Sequence, residues 1–211
     1  MEADLWAFEK QYRAKGYARI AGVDEAGRGP LAGPVVSAAV VLPDGFKTGE
    51  IKDSKKLTPR QREQAYARIY AEAQAVGIGI VDPLEIDRIN ILQATRLSMI
   101  IALANLAPRP SLALIDGNFK IPTRLPQQPI VKGDARSVSI AAASIVAKVS
   151  RDHLMQRYHE DYPQFGFNGH KGYPTKAHKG AIAQHGPCLI HRRSFRGVRE
   201  HLEPAGSQHR A

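Results

Sequence analysis

An α/β fold with a mixed β-sheet flanked by helices, followed by a small helical C-terminal part, is what this 211-residue sequence predicts. Three observations predict it. Apolar runs of strand length recur at Tyr17–Asp24, Val35–Leu42, Val76–Val81 and Leu112–Ile115. Helical patterns separate the later runs, which is the element order of an α/β domain. Beyond Pro163 the composition turns to Gly, His, Lys and Pro, with one short helix expected near residues 175–184.

Taken in order, residues 3–14 carry Leu5, Trp6, Phe8 and Tyr12, the pattern of a short amphipathic helix. The first strand runs straight into two adjacent carboxylates, Asp24 and Glu25, and then a Gly/Pro loop. The second strand, VVSAAVVL, is continuously apolar, as for a strand buried on both faces. Residues 43–46 (PDGF) form a turn and Ile51–Leu57 a basic loop. Thr58 before Pro59 is an N-cap with proline at the first helical position, opening a helix over Pro59–Ala73. Asp82-Pro83 starts a short helix. Ile89–Leu106 follows with Ile91, Leu92, Leu97, Ile100 and Ile101 at helical spacing. Leu112–Ile115 leads into Asp116-Gly117-Asn118. Pro122–Pro129 reads as a rigid loop, Ile130-Val131 as a stub of strand, and residues 136–159 as the longest helix. The tail after about residue 200 is expected to be disordered. No linker separates two independent domains.

A chain of this length buries roughly 70% of the surface it exposes when unfolded, ample for one core. It is 43% hydrophobic and 24% charged, without repeats. Its net charge of +10 and pI of about 9.9 favour a polyanionic partner, nucleic acid first. No apolar run reaches the ~18 residues of a spanning helix, and the acidic N-terminus is no secretory signal, so no membrane partner is expected. The single cysteine, Cys188, excludes an internal disulfide framework and fits a reducing, cytoplasmic setting. A monomer is the default expectation.

Acids are depleted in strands, and paired acids repel. Yet an acid stands repeatedly where a strand gives way to a loop: Asp24 and Glu25, then Asp116, then Asp134 in VKGDARS. Ligand sites gather at strand ends in open α/β sheets. If the first and fourth strands are neighbours, Asp24 and Asp116 come within reach of a shared ion. Converging acids need a cation, and a hard divalent metal with oxygen ligands is the simplest. Metal-assisted phosphoryl transfer uses such clusters, with two ions about 3.5–4 Å apart. Gly27-Arg28-Gly29 lets backbone approach a sugar closely, and its spacing and the preceding acids do not suit a dinucleotide cradle. A zinc site drawn from His170, His178, His185 and Cys188 fits no common finger spacing.

The segments AGVDEAGRGPLAGPVVSAAV, KDSKKLT, LIDGN, VKGDARSVSIAAASIVAKVSRD, GHKGYPTKAH and HRRSF, in collinear order over residues 18–198, resemble bacterial ribonuclease HII, of the type 2 ribonuclease H family. The resemblance implies a ribonuclease-H-like mixed sheet and a catalytic unit over residues 17–198, with helix 1–16 and tail 199–211 outside it. It implies an endoribonuclease that cuts the RNA strand of RNA–DNA hybrids and nicks duplex DNA 5′ of embedded ribonucleotides. Mg²⁺ or Mn²⁺ is the implied cofactor, with 3′-hydroxyl and 5′-phosphate products. Asp24, Glu25, Asp116 and Asp134 map to the metal-binding catalytic acids, and Gly27, Arg28 and Gly29 to a ribonucleotide sensor. Tyr173 maps to a tyrosine that stacks at the RNA-to-DNA junction. Lys52, Ser54, Lys55 and Lys56 are expected to grip phosphates. Ser144 and Lys148, spaced i,i+4, are expected to face the same groove. No side-chain nucleophile is needed, so Cys188 has no assigned role. No clamp-binding peptide is recognised in the tail. Two rival functions are a non-catalytic nucleic-acid-binding protein and a structure-selective DNA resolvase.

Overall fold

The apolar run Val35–Val41 (β2) is buried at every residue because it lies between two strands and between two helical layers. The computed structural model describes residues 4–49, 51 and 57–202. Its five-stranded sheet has the order β3-β2-β1-β4-β5, with β1 at Ile20–Ala26, β3 at Ala75–Val81, β4 at Leu112–Asp116 and β5 at Gln127–Ile130. β2 pairs antiparallel with β1 and β3, and β4 pairs parallel with β1 and β5, so the sheet is mixed as expected.

Alternate residues of β2 feed different cores, as the period of a strand requires. Ala38 and Val40 pack with Ala142, Ala143 and Val146 of α5 (Val138–Asp161) and Ile69 of α2 (Pro59–Glu72). Ala39 and Val41 pack with Met99, Ala102 and Leu103 of α4 (Ile91–Ala104). Two strand glycines let these helices rest directly on the sheet. A β-carbon on Gly22 would lie 2.0 Å from the Ser139 carbonyl carbon, and one on Gly79 would lie 1.9 Å from the Ser98 oxygen.

Several boundaries differ from the sequence expectation. The first strand is shifted towards its C-terminus, so both acids lie within it. The last three residues of the expected 122–129 loop belong to β5, which tolerates Pro129 because it is an edge strand. The helix expected over Ile89–Leu106 is divided from α3 (Pro83–Ile89) at Asn90, whose φ is 68° and whose side chain accepts from the Leu92 and Gln93 N–H groups. Thr58 caps α2 in a full capping box with Gln61. The C-terminal part contains α7 (Lys176–His185), as expected, and a one-turn α6 (Phe167–His170) that the composition hides.

Helix α1 (Ala7–Arg13) does more than cover the surface. Its fully buried Glu9 accepts from Ser137 Oγ at 2.6 Å and from the Ser139 N–H at 3.0 Å, placing a carboxylate on the N-terminus of α5. The Val138 N–H donates to the Leu5 carbonyl beside it. Among the described residues no helix is long and apolar enough to cross a membrane.

Candidate active site

The parallel pairing of β1 with β4 carries Val23 opposite Ile115, so Asp24 and Asp116 stand side by side at the ends of adjacent strands. Asp116 is in turn opposite Ile130 at the end of β5. The chain then turns through a short 3-10 segment, Gly133–Ala135, whose Gly133 N–H donates to Asp116 Oδ1 at 2.6 Å. That bond delivers the next residue, Asp134, to the same sheet edge, 94% buried. Asp24, Glu25 and Asp116 thereby lie within electrostatic reach of one another, and Asp134 follows directly on the residue bonded to Asp116.

The surroundings of these acids are costly for negative charge. Asp24 is 6% exposed, and burial, then the charges of Glu25 and Asp116, hold its carboxyl well above the usual range. A hydrogen bond from Ser144 on α5 and one from the Glu25 N–H, at 2.7 Å, offset this only in part. Burial also raises Glu25, opposed by Arg28 and reinforced by Asp116. Arg28 donates to Glu25 Oε1 at 3.2 Å, while Glu25 Oε2 is buried with no hydrogen-bond partner. Among the described residues no three acid, histidine or cysteine side chains are already drawn into a closed cage for an ion. The donor set nevertheless suits a divalent cation: hard carboxylate oxygens, mutual repulsion to be relieved, and one buried oxygen still unsatisfied.

Beside the acids opens a cleft of about 480 Å³, lined by Glu25, Gly27, Arg28, Gly29, Ser144, Lys148 and Tyr173 among others. Six of the sequence-expected substrate residues therefore share one wall with one of the acids. Tyr173 is 44% exposed, and its ring lies beside Gly29, 3.8 Å from where a β-carbon there would stand. Lys148 is not a free cation; it pairs with Asp152 at 2.7 Å, one turn on. Lys52, Ser54, Lys55 and Lys56 lie outside the described residues.

Some participants carry no local signal. Arg62 of α2 lines the cleft, although in sequence it is one cation among many on a polar helix. Arg151 and Arg192 are almost fully buried with no carboxylate in ion-pair contact among the described residues. Their guanidiniums bond instead to carbonyls of the loop after β1. His178 and His191 share a bond at 3.0 Å between their Nε2 atoms, and His178 Nδ1 bonds the Tyr173 carbonyl at 2.9 Å. Burial pushes both imidazoles down to about 4, so both are neutral at neutral pH. Cys188 lies half-buried against His191 Nδ1, with its thiol pushed up to about 11 by burial, an inert state.

A family model for ribonuclease HII matches residues 21–198 of this chain. The ribonuclease HII of Geotalea daltonii is 56% identical over 199 residues, covering 94% of this chain and 92% of that protein. That of Geobacter metallireducens is 54% identical over 203 residues, 96% of this chain and 95% of the relative. Among solved structures, the ribonuclease H2 of Pyrococcus horikoshii superposes with a TM-score of 0.73 at 29% identity, covering 86% of this chain and 96% of that one.

Proposed function

The chain belongs to the ribonuclease HII family, and from that premise we propose how its own residues carry the reaction. It is an endoribonuclease that hydrolyses the RNA strand of RNA–DNA hybrids. The finer reading is that it also nicks duplex DNA on the 5′ side of an embedded ribonucleotide, leaving a 3′-hydroxyl and a 5′-phosphate. The observation that carries this reading is the contact between two unlike surfaces. A cluster of acids, too buried to be comfortable as bare anions, adjoins a cationic cleft floored by Gly27-Arg28-Gly29.

In this reading Asp24, Glu25, Asp116 and Asp134 hold divalent cations, Mg²⁺ or Mn²⁺. A cation bound there supplies Lewis acidity and charge neutralisation for phosphodiester hydrolysis, in the manner of two-metal sites. Ser144 orients Asp24 through their hydrogen bond. The Gly133 N–H fixes the Asp116 carboxylate so that its second oxygen keeps a constant direction. Arg28 restrains Glu25 and leaves its other oxygen available. Gly27 and Gly29 let the loop backbone approach the ribose, where a 2′-hydroxyl offers both a donor and an acceptor. Tyr173 offers an exposed ring for stacking. Arg62 supplies positive charge to the phosphate path without reading sequence, and Lys148 does so once a phosphate draws it from Asp152.

A purely nucleic-acid-binding protein would gain nothing from acids at the head of its groove, since they repel phosphates. The discriminating experiment is strand cleavage of a DNA duplex containing one ribonucleotide, with Mg²⁺, with Mn²⁺ and with chelator, beside the Asp116→Asn variant. A single metal-dependent nick 5′ of the ribonucleotide, absent in the variant and on all-DNA duplex, is expected. Binding without cutting in either metal would leave the acid cluster without a purpose and move the assignment to the binding protein.

A further inference from the structure

Two buried arginines in this fold have carbonyl groups where a carboxylate would be expected. Arg192 is 0% exposed and donates from Nε to the Gly33 carbonyl at 3.0 Å, from Nη1 to the Arg28 carbonyl at 3.0 Å and from Nη2 to the Gly27 carbonyl at 2.5 Å. A second Nη2 contact reaches Gly33 at 2.9 Å. Arg151, 1% exposed, donates to the carbonyls of Ala32, Pro34 and Lys171, each at 3.0 Å. Burial lowers both guanidiniums, Arg192 to about 9 and Arg151 to about 10, which still leaves them charged at neutral pH. Burying a cation without an anion is costly. The donor geometry of each guanidinium fork is therefore the feature to explain.

Arg192 grips two successive carbonyls, those of Gly27 and Arg28. The only cis peptide among the described residues is Ala107-Pro108, so both peptide units here are planar and trans. In a trans unit the N–H points opposite to the C=O. With the Gly27 and Arg28 carbonyls turned inward to Arg192, the N–H groups of Arg28 and Gly29 turn outward, on the side where these residues line the cleft. No backbone bond among the described residues engages either N–H. Two adjacent outward amides form a concave donor pair suited to one oxygen of a sugar or phosphate. A lysine at this position would offer a single point charge and could not hold both planes at once.

We propose that Arg192 is a positioning residue for ribonucleotide selection, fixing the Gly27 and Arg28 peptide planes so that two N–H groups face the ribose. The role rests on the reading of the Gly-Arg-Gly loop given above. Arg151 is its natural control, because it bonds the far end of the same loop and neither of those two carbonyls.

The test compares wild type, Arg192→Lys and Arg151→Lys on a duplex with one ribonucleotide, reading kcat and KM separately. Amide resonances of Arg28 and Gly29 in ¹⁵N–¹H spectra are recorded in parallel. Arg192→Lys is expected to lose about 100-fold in kcat, the cost of roughly 1 Å of misplacement, with KM little changed. Its Arg28 and Gly29 amides shift. Arg151→Lys is expected to lower the melting temperature comparably while keeping kcat within about 5-fold, as its bonds lie away from the reacting sugar. Should Arg192→Lys fail to fold, Phe195→Leu loosens the same guanidinium, which stacks 5.1 Å from that ring. The same amide shifts and a fall in kcat are expected there. If Arg192→Lys or Phe195→Leu keeps the wild-type kcat and amide positions, or if both arginine variants lose kcat alike, Arg192 is structural only and the proposal falls. If wild type itself leaves the ribonucleotide uncut in both metals, the reading of the loop fails first, a different and separately visible outcome.

Discussion

Adding one methyl group at Gly22 would separate the machinery of the site from the stability of the fold. The new β-carbon would sit 2.0 Å from the Ser139 carbonyl carbon and 2.2 Å from the Ile140 nitrogen, both backbone atoms of α5. Ordinary contact begins at 3.4 Å, so helix and strand must part by about 1.4 Å at this point. Neither partner is a flexible side chain that could swing aside. Overpacking costs typically 1–3 kcal/mol, and a backbone-on-backbone clash belongs at or above the top of that range. For a chain of this size about 3 kcal/mol is a fall of roughly 6–12 °C in melting temperature. The displaced helix also carries Ser144, one and a half turns on, which bonds the Asp24 carboxylate. A shift of about 1 Å there is worth roughly 100-fold in rate.

Gly79→Ala is the matched comparison. Its β-carbon would lie 1.9 Å from the Ser98 oxygen, an equally severe clash, but with α4, which contributes none of the proposed site residues. Urea unfolding gives both stability losses, and single-turnover cleavage well below both midpoints gives the rates. Both variants are expected to lose similar stability, with only Gly22→Ala losing most of its rate. Equal rate losses would show that distant destabilisation alone impairs the site. Gly22→Ala with unchanged stability would refute the close helix–sheet contact itself.

Glu9→Ala should cost about 1–3 kcal/mol, because it leaves Ser137 Oγ and the Ser139 N–H buried without their acceptor; chemical denaturation measures it. Gly180→Ala, at an exposed position inside α7 with nothing within 4 Å of the new carbon, should stabilise by about 0.5–1 kcal/mol and leave cleavage unchanged. A saturating divalent cation at about 100 times its Kd should add roughly 2.7 kcal/mol to wild type and much less to Asp24→Asn, read as a shift in melting temperature. His178 and His191 have folded values near 4 against an ordinary 6.5. The unfolded chain therefore binds more protons between those limits, so stability is full above pH 6.5 and falls progressively towards pH 4. His191→Gln should flatten that part of the melting-temperature profile; an unchanged slope would remove the pair from the account.

Features written in local chemistry were legible in the sequence. Thr58-Pro59 announced a capped helix, the unbroken apolar run of β2 announced burial on both faces, and acids ending apolar runs announced a site at the sheet edge. What depends on contacts far apart in the chain was not. Arg192 reaches Gly27 across 165 residues, and in the sequence it is only one of two adjacent arginines, with nothing nearby to mark that partner. Glu9 reaches Ser137 across 128 residues, and nothing in its local sequence marks that partner. In each case the side chain's partner is a backbone or hydroxyl group, which leaves no complementary charge to notice. Pro129 misled in the opposite way, because a proline marks a loop unless the strand is known to lie at an edge.

The element that joins these distant parts is α5, and its sequence shows how. Ile140, Ser144, Lys148, Arg151 and Met155 are spaced by four, four, three and four residues, a single stripe along one helix face. Over roughly 22 Å, at ~1.5 Å per residue, that stripe meets successive tasks. The backbone at Ile140 bears on Gly22, Ser144 bonds Asp24 and Lys148 lines the cleft. Arg151 then holds the loop carbonyls, and Met155 packs with Leu31, Phe165 and Phe167 in the C-terminal cluster. Carboxylate support, phosphate path and loop anchor are thus set at fixed intervals by one rigid rod. A single residue inserted between Ser144 and Arg151 would turn Arg151 about 100° away from the loop, since each residue advances the helix by a 3.6th of a turn. The acids would remain in place while the loop lost its anchor. Stability would then fall, as for Arg151→Lys, with metal binding intact, a combination that no simple loss of the acid cluster can produce.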